Sequence, residues 1–345
     1  MQKIVINESP KREIWEKTIT LSPRALCHYF VDWDFLETHE KTKKYQAIKL
    51  LGTINNRPVG ILGGLLYKKF GLNHSLVSGS SASGGGLAVI ESLDQKTKIE
   101  VAKKLILSFN EVAKKEKVLY TMVYCAYDIN LDFGDKDLKY SPVIDLPKDR
   151  QDPLSLFDPK NRNHTRQGLR DCQIILGNRE NLNDYLKLQK ELADRRGLHY
   201  LNRLDDLNNL WDYLHPAGKL KLYLAKNEDK VLAGAIIFYA GKNLFYKNGA
   251  STAEGMKFRA NNALQYQIIS EAMANGYEIY DLEGGTMDAN APLYGITKFK
   301  LSLGAKWRTF FRYSWRGENK WLRFGLEKTN KIFKIDNSFK ILIYP

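Results

Sequence analysis

Lys300 is the residue of this sequence whose surroundings most suggest chemistry. It lies in the segment from Tyr280 to Arg308, YDLEGGTMDANAPLYGITKFKLSLGAKWR. Its neighbours Phe299 and Leu301 would limit the access of water and so strengthen the effect of its charge. A preorganised cation beside a reacting carbonyl stabilises the oxyanion of a tetrahedral intermediate by roughly 3–4 kcal/mol. We predict that Lys300 meets a developing negative charge or an anionic substrate group; the alternative is a lysine on a solvated strand edge.

Asp281 precedes two glycines at the predicted end of a strand. Its carboxylate would either accept a proton from an incoming amine or hold the N–H groups of the loop. Gly284 and Gly285 would permit a tight turn and a close approach of the backbone to substrate. Replacing Lys300 by Met is expected to lower turnover with little effect on folding, because removing an unpaired buried cation seldom costs stability.

Four arginines are a second group of candidate residues. Arg162 and Arg166 precede a predicted strand, and Arg195 and Arg196 lie in the segment LADRRGLHYL. A guanidinium group binds two phosphate oxygens at once, which suits it to a phosphorylated ligand. We predict that these arginines bind phosphates of a nucleotide-linked or lipid-linked precursor, although any single one could be an ordinary surface residue.

The elements that must position these side chains occur twice in the same order. In the first half, apolar periodicity and turn residues predict a hairpin, a helix and a strand at residues 45–70, 98–117 and 118–125. The second half repeats the order, with three strands, a helix and a strand at residues 219–251, 261–277 and 278–282. A helix near Asn161 to Asp171 and a strand at Gln173 to Leu176 precede this second set. The sequence therefore predicts a duplicated α+β domain.

The domain boundary is predicted near Arg150, in a segment rich in proline and charge. This gives a first domain at residues 1–150 and a second at 151–316. The chain after Gly317 is predicted to form a basic amphipathic helix that packs back on the first domain, so that 317–345 belongs with 1–150. From Gly295 to Pro345 there are twelve Lys/Arg and three Asp/Glu, a surplus of nine out of a net charge of +14. Such a surplus favours polyanionic partners, namely nucleic acid, nucleotide-linked substrates or an anionic membrane face, over a merely solvated basic surface.

Several classes of protein find little support in the sequence. No apolar run approaches the roughly 20 residues that span a bilayer, and the polar N-terminus is unlike a signal peptide, so a cytoplasmic location is expected. The three cysteines are far apart, and neither they nor the histidines have metal-ligand spacing. Patterns typical of serine hydrolases, P-loop NTPases and dinucleotide-dependent dehydrogenases do not occur. The glycine-rich segment Ser78 to Val89 is interpreted as an irregular loop between strands.

Two patterns carry a resemblance to a known family, YDLEGG…YGITKFKLSLG and NRNHTRQGLRDCQIIL. Together they resemble the Fem-type peptidoglycan bridge-forming aminoacyltransferases. The segment LADRRGLHYL is similar to the family's T-x-x-R-x-G-F segment, with Arg195 and Gly197 in matching positions and leucines in place of threonine and phenylalanine. The resemblance extends over residues 151–316 and is only topological over 1–150.

The resemblance implies an α+β fold of two tandem GNAT-like domains, with mixed sheets flanked by helices. A coiled-coil arm is not expected, because no segment shows sustained heptads. The implied catalytic residues are Lys300 and Asp281. The implied substrate-binding residues are Phe299, Gly284, Gly285, Tyr294, Arg195, Arg196, Arg162 and Arg166, and no metal is implied.

The function implied by the resemblance is transfer of an amino acid from aminoacyl-tRNA to an amine of a cell-wall precursor. The expected protein is a monomer without a cofactor, with a nucleotide-linked or lipid-linked precursor as acceptor and peripheral contact with an anionic membrane. One alternative is an N-acyltransferase that uses acyl-CoA or an acyl carrier on an amino sugar of an exopolysaccharide. Coenzyme A would need small residues before the main helix, but EGMKFRANNALQ offers Arg259 followed by Asn262 and Leu264. The other alternative is a non-catalytic RNA-binding protein.

Overall fold

The computed structural model describes residues 3–23, 26–41, 45–69, 72–149, 152–197, 204–291 and 293–317. The strands are Ile4–Asn7 (β1), Tyr45–Ile54 (β2), Arg57–Lys69 (β3), Leu72–Ser78 (β4), Leu87–Val89 (β5), Tyr120–Cys125 (β6), Asp135–Asp145 (β7), Gln173–Leu176 (β8), Leu220–Asn227 (β9), Lys230–Ala240 (β10), Asn243–Ser251 (β11), Ile279–Asp281 (β12) and Lys306–Arg316 (β13). The α-helices are Arg12–Thr20 (α1), Trp33–Lys41 (α2), Gln95–Lys115 (α3), Pro159–Asp171 (α4), Leu182–Arg196 (α5), Leu204–Leu214 (α6), Ala253–Lys257 (α7), Ala260–Ala274 (α8) and Tyr294–Ser302 (α9). Short 3-10 helices are formed by Tyr29–Val31 and Pro153–Leu156.

The first of two compact units contains the described residues of Met1–Lys139 together with residues 309–317. Its strands are ordered β1-β2-β3-β4-β6-β13, and β5 pairs with β3. The hairpin of β2 and β3 turns at Asn55 and Asn56, whose φ angles of 49° and 62° are the left-handed values that asparagine tolerates in tight hairpins. Helix α3 leads to β6, which is parallel to β4, as a crossover connection requires. The face of α3 predicted to be apolar is buried: Val101, Leu105, Phe109 and Val112.

The second unit is Tyr140–Arg308. Its strands are ordered β7-β12-β11-β10-β9-β8, and only β11 and β12 are parallel. Helix α8 makes the crossover between these two strands and buries Leu264, Ile268 and Ala272, the face that the sequence predicts. Gly276 follows the helix with a φ of 69°, a conformation that favours glycine after a helix end.

Each unit therefore contains antiparallel strands, a crossover helix and one pair of parallel strands. The α+β class and the duplicated order of elements are confirmed, and both sets of strands are mixed. The physical basis is the same in the two halves: an alternating or continuous apolar strand pattern, followed by one apolar stripe at helical spacing.

The units divide within β7 and β13, at Lys139/Tyr140 and Arg308/Thr309, whereas the sequence-based boundaries are residues 150 and 316. The end of β7, at Val143 to Asp145, pairs with β12 and so belongs to the second unit. The end of β13, at Phe311 to Arg316, pairs with β6 and so belongs to the first. Linker composition does not reveal such pairing. The predicted C-terminal helix lies outside the described residues.

Within the described ranges, no helix is both long enough and apolar enough to cross a bilayer.

Candidate active site

Lys300 lies on α9, and only 7% of it is exposed. Its Nζ donates hydrogen bonds to the carbonyl oxygens of Glu283 and Gly284, the second at 2.8 Å. Burial lowers the pKa of Lys300 to about 8, while the charges of Glu283 and Asp281 oppose that shift. Lys300 is thus a buried amine held by main-chain carbonyls, and the alternative of a solvated strand edge is wrong.

The loop after β12 is shaped to receive this ammonium group. Glu283 and Gly284 have left-handed φ angles of 48° and 52°, which turn their carbonyl groups toward Lys300. Thr297, one turn earlier on α9, accepts a hydrogen bond from the Thr286 N–H at 3.0 Å. Residues three apart on a helix share a face, so Thr297 and Lys300 together fix the loop to α9.

Asp281 ends β12 and is buried. Its Oδ1 accepts hydrogen bonds from the Ser141 hydroxyl at 2.5 Å and from the Glu283 N–H at 2.8 Å. Burial raises the pKa of Asp281 to about 7, and the hydrogen bond from Ser141 opposes this shift. Of the two roles predicted for Asp281, holding the loop is visible in the geometry, while accepting a proton from substrate stays a prediction.

The sequence analysis did not identify a pair of buried, oppositely charged residues beside this loop, Lys247 and Glu283. The Lys247 Nζ lies 3.8 Å from the Glu283 Oε2, and the two side chains are 2% and 4% exposed. Burial lowers the pKa of Lys247, and the charge of Glu283 opposes this. A signal was present in the sequence, since Lys247 is the one charged residue of the strand NLFYKNGAS.

Three further predicted site residues surround the loop and α9. Gly285 packs so closely that a Cβ atom there would lie 2.8 Å from the Trp307 ring and 3.3 Å from Pro142 Cδ. Phe299 is partly buried against the apolar core of the second unit. Tyr294 is the first residue of α9 and is half-buried. Packing alone therefore explains the glycine and the phenylalanine, and their roles in binding substrate stay predictions.

The four predicted arginines form two pairs, on α4 and α5. Arg162 donates to the carbonyl of Phe157 at 2.8 Å, and Arg195 donates to the carbonyl of Ser251 at 2.9 Å. Arg166 is exposed and bonds Asn163 at 3.2 Å, and Arg196 is exposed at the end of α5. None of these hydrogen bonds connects an arginine to Lys300, Asp281 or Glu283. Phosphate binding by the arginines stays a prediction, and the exposed Arg166 and Arg196 are better placed for a ligand from solvent.

Comparisons with known proteins identify similar sequences and a similar fold. Residues 159–291 match the family model described as an acetyltransferase (GNAT) domain. A lipid II:glycine glycyltransferase of Staphylococcus haemolyticus is 23% identical over 231 residues, covering 47% of this chain and 54% of the relative. One of the same name from Staphylococcus epidermidis is 30% identical over 121 residues, 34% of this chain and 29% of the relative. The crystal structure of FemX superposes with a TM-score of 0.67 at 18% identity, covering 89% of this chain and 96% of that chain.

These similarities support a Fem-type GNAT family, and the GNAT domain itself is matched over residues 159–291. The predicted fold of two GNAT-like domains is confirmed. The chain spans about half the length of the first curated relatives it matches.

The start of α8 has a distinctive environment. A helix N-terminus is a common site for a pyrophosphate, and the sequence-based alternative of coenzyme A would place its pyrophosphate at this one. Here Ala260, Asn262 and Ala263 are buried, and the Asn262 side chain donates to Asn161 of α4. A Cβ atom on Gly168 of α4 would lie 2.5 Å from the Arg259 carbonyl oxygen. The chain's own helix α4 therefore packs on the turn where a pyrophosphate would bind.

The first unit contains a cavity of about 1090 Å³. Lys117, Arg316, Phe133 and Trp315 are among the residues that line it, and none of the predicted site residues does so. In the part of the chain that the structure describes, no group of three or more His, Cys, Asp or Glu side chains could hold a metal ion. The candidate active site is therefore the buried charge cluster around Lys300, which lies wholly in the second unit.

Proposed function

We propose that this chain is an acyltransferase that transfers an aminoacyl group to an amine of a cell-wall precursor. The observation that carries the proposal is the buried amine of Lys300, held by the carbonyls of Glu283 and Gly284. Relatives named lipid II:glycine glycyltransferases support the choice of acceptor. The chain spans about half the length of those relatives, so we propose their reaction for this chain on the basis of similarity.

The proposed reaction is attack of the acceptor amine on the ester carbonyl of the donor. The new C–N bond forms as the ester C–O bond breaks, and the amine loses a proton while the leaving alcohol gains one. An ammonium group has three N–H donors, and the two bonds to the loop leave one for the oxyanion of the tetrahedral intermediate. The bonds to Glu283 and Gly284 fix Lys300 before substrate arrives, so little reorganisation is needed during the reaction.

We infer that the donor is aminoacyl-tRNA, with no cofactor needed. The net charge of +14 favours a polyanionic partner over a small one. The buried start of α8 argues against coenzyme A, because α4 packs where its pyrophosphate would contact the helix. The acceptor is a phosphorylated precursor, nucleotide-linked or lipid-linked, for which the exposed Arg166 and Arg196 are suitable ligands. A lipid-linked acceptor would place the protein beside an anionic membrane.

The mass of the product distinguishes the donors. The purified chain is incubated with the precursor and either charged tRNAs or acyl-CoAs, with and without prior RNase treatment. We expect a precursor heavier by one aminoacyl residue, formed only from charged tRNA and abolished by RNase. If the product forms from acyl-CoA and its formation is insensitive to RNase, the donor is acyl-CoA and not aminoacyl-tRNA. RNA binding without turnover on any donor would contradict the acyltransferase assignment.

A further inference from the structure

A β-bulge places Lys247 in the core of the second unit. In the pairing of β10 with β11, Ile237 lies opposite Tyr246 and Ile236 lies opposite Asn248, so Lys247 is the extra residue. A bulge redirects the side chains next to it, and bulges are frequent beside active sites. The result is a lysine whose side chain is 2% exposed, on a strand that is otherwise uncharged.

Glu283 connects the other charged groups of the cluster. Its N–H donates to Asp281 at 2.8 Å, its carbonyl accepts from Lys300, and its carboxylate lies 3.8 Å from the Lys247 Nζ. Its φ of 48° is left-handed, a conformation that glycine adopts without strain but that is uncommon for other residues. Such a conformation persists where the surrounding structure holds it, so the backbone that carries this buried carboxylate is fixed by its environment.

We propose that Glu283 and Lys247 are a positioning pair, which holds the amine of Lys300 in place and keeps it charged. The inference rests on the proposed function for the role of Lys300, but its geometry does not. Glu283 supplies a carbonyl to Lys300 directly and a negative charge nearby. Lys247 compensates that charge, because an isolated charge is costly to bury. With Asp281 the cluster has two basic and two acidic groups, so a change at one member alters the others.

The surroundings of Lys300 define what must be measured. The charges of Glu283 of the loop and Asp281 of β12 act on Lys300, and the ring centroid of Tyr246 of β11 lies 5.9 Å from its Nζ. Lys247 of β11 faces Glu283. Burial lowers the pKa of Lys300, and Glu283 is the first of the two charges that oppose this. If the pair is a positioning device, removing the carboxylate must make Lys300 lose its proton at lower pH.

The test is an NMR titration of lysine side chains in the full-length chain with ¹³C,¹⁵N-lysine, in which Lys300→Met assigns the signal. Glu283→Gln removes the charge and keeps the shape, and Lys247→Met removes the compensating cation. We expect Glu283→Gln to increase the proton-dissociation constant of Lys300 on the order of tenfold, one pKa unit. Lys247→Met leaves the Glu283 carboxylate uncompensated, so it should decrease this constant. The double variant should show no larger change than Glu283→Gln alone, because both act through one carboxylate.

Glu271→Gln is the matched control, since Glu271 pairs with Lys221 in the same unit. It should leave the Lys300 titration unchanged. If Glu283→Gln does not fold, Glu283→Gly relieves the left-handed backbone and still lacks the carboxylate. A Lys300 titration that is the same in the wild type and all Glu283 variants would overturn the proposal.

Activity gives a second readout and separates this inference from the proposed function. If charged Lys300 is required, kcat should fall as pH rises through about 8, and Glu283→Gln should move this fall to lower pH with KM little changed. If the wild type transfers no acyl group from any donor, the proposed function fails while the titration still tests the pair. If Lys300 titrates as expected and the kcat profile does not move, Lys300 is positioned but is not used as a cation.

Discussion

We propose that Lys300 contributes to both folding and chemistry, and one substitution measures the two contributions separately. In Lys300→Met we expect kcat and kcat/KM to fall together by roughly a hundredfold, because an oxyanion donor acts mainly in the transition state. Unfolding free energy should also fall by about 1–3 kcal/mol, since the carbonyls of Glu283 and Gly284 lose their donor. The sequence-based expectation of little effect on folding assumed an unpaired cation, and this premise is wrong because Lys300 donates to two carbonyl oxygens. Steady-state kinetics and urea unfolding measure the two effects.

Lys298→Met is the control for this substitution, because Lys298 is an exposed residue of the same helix. It should change neither quantity. If Lys300→Met raises KM and leaves kcat intact, the lysine binds substrate uniformly and the oxyanion role is excluded.

The raised pKa of Asp281 makes the stability of the protein depend on pH, and replacing Asp281 should remove this contribution. Its pKa is about 7 in the folded protein against 3.8 for an ordinary aspartate, so between these values the folded state holds a proton that the unfolded state releases. This group therefore makes the wild type less stable as pH rises from about 4 to 7, by a few kcal/mol at most. Asp281→Asn should gain stability relative to the wild type across that range, as urea unfolding at several pH values would show. Parallel stability curves for the two proteins would exclude the raised pKa.

At the scale of elements, two glycines next to Lys300 should respond oppositely to alanine. Gly285→Ala places a Cβ atom 2.8 Å from the Trp307 ring, and we expect a loss of about 1–3 kcal/mol from overpacking. Gly295 lies in α9 with no atom within 4 Å of an added Cβ, so Gly295→Ala should stabilise by about 0.5–1 kcal/mol. Thermal unfolding of both variants tests this. Unchanged stability with lost activity in Gly285→Ala would instead assign this glycine to the approach of substrate.

At the scale of the whole molecule, charge predicts how a polyanion binds. The surplus of nine positive charges after Gly295 motivates replacing Lys328, Lys331 and Lys334 by Gln, although these three lie outside the described residues. We expect weaker tRNA binding and a shallower dependence of affinity on salt. The slope of log affinity against log salt concentration should become smaller in magnitude by up to about 0.9 for each phosphate that is no longer neutralised.

A matched triple variant removes the same net charge elsewhere. Lys114, Lys115 and Lys117 are exposed at the end of α3 and the turn after it, and replacing them by Gln should leave the salt slope nearly unchanged. If both triple variants reduce the slope equally, binding follows net charge and not the C-terminal segment. An unchanged slope in the C-terminal variant would limit that segment to packing or solubility.

The sequence by itself determined the repeated order of hairpin, helix and strand in the two halves, the hairpin at Asn55 and Asn56, and the buried faces of α3 and α8. These features are encoded locally, in apolar spacing over one helix or strand and in residues that tolerate left-handed turns. Local motifs also identified Lys300, Asp281 and the two glycines as a group, because all four lie within 20 residues of one another.

Only the tertiary structure decided what these side chains contact. The bond between Ser141 and Asp281 joins residues 140 apart, and the pair of Lys247 with Glu283 depends on a bulge in β11 that no local pattern announces. The unit boundaries likewise followed from the strands with which the ends of β7 and β13 pair. Such contacts arise from the register of distant strands and from exclusion of water, and neither is encoded in residues that are adjacent in sequence. The fold brought the buried charges together, and that burial is what moved the pKa values of Lys300 and Asp281 toward neutrality.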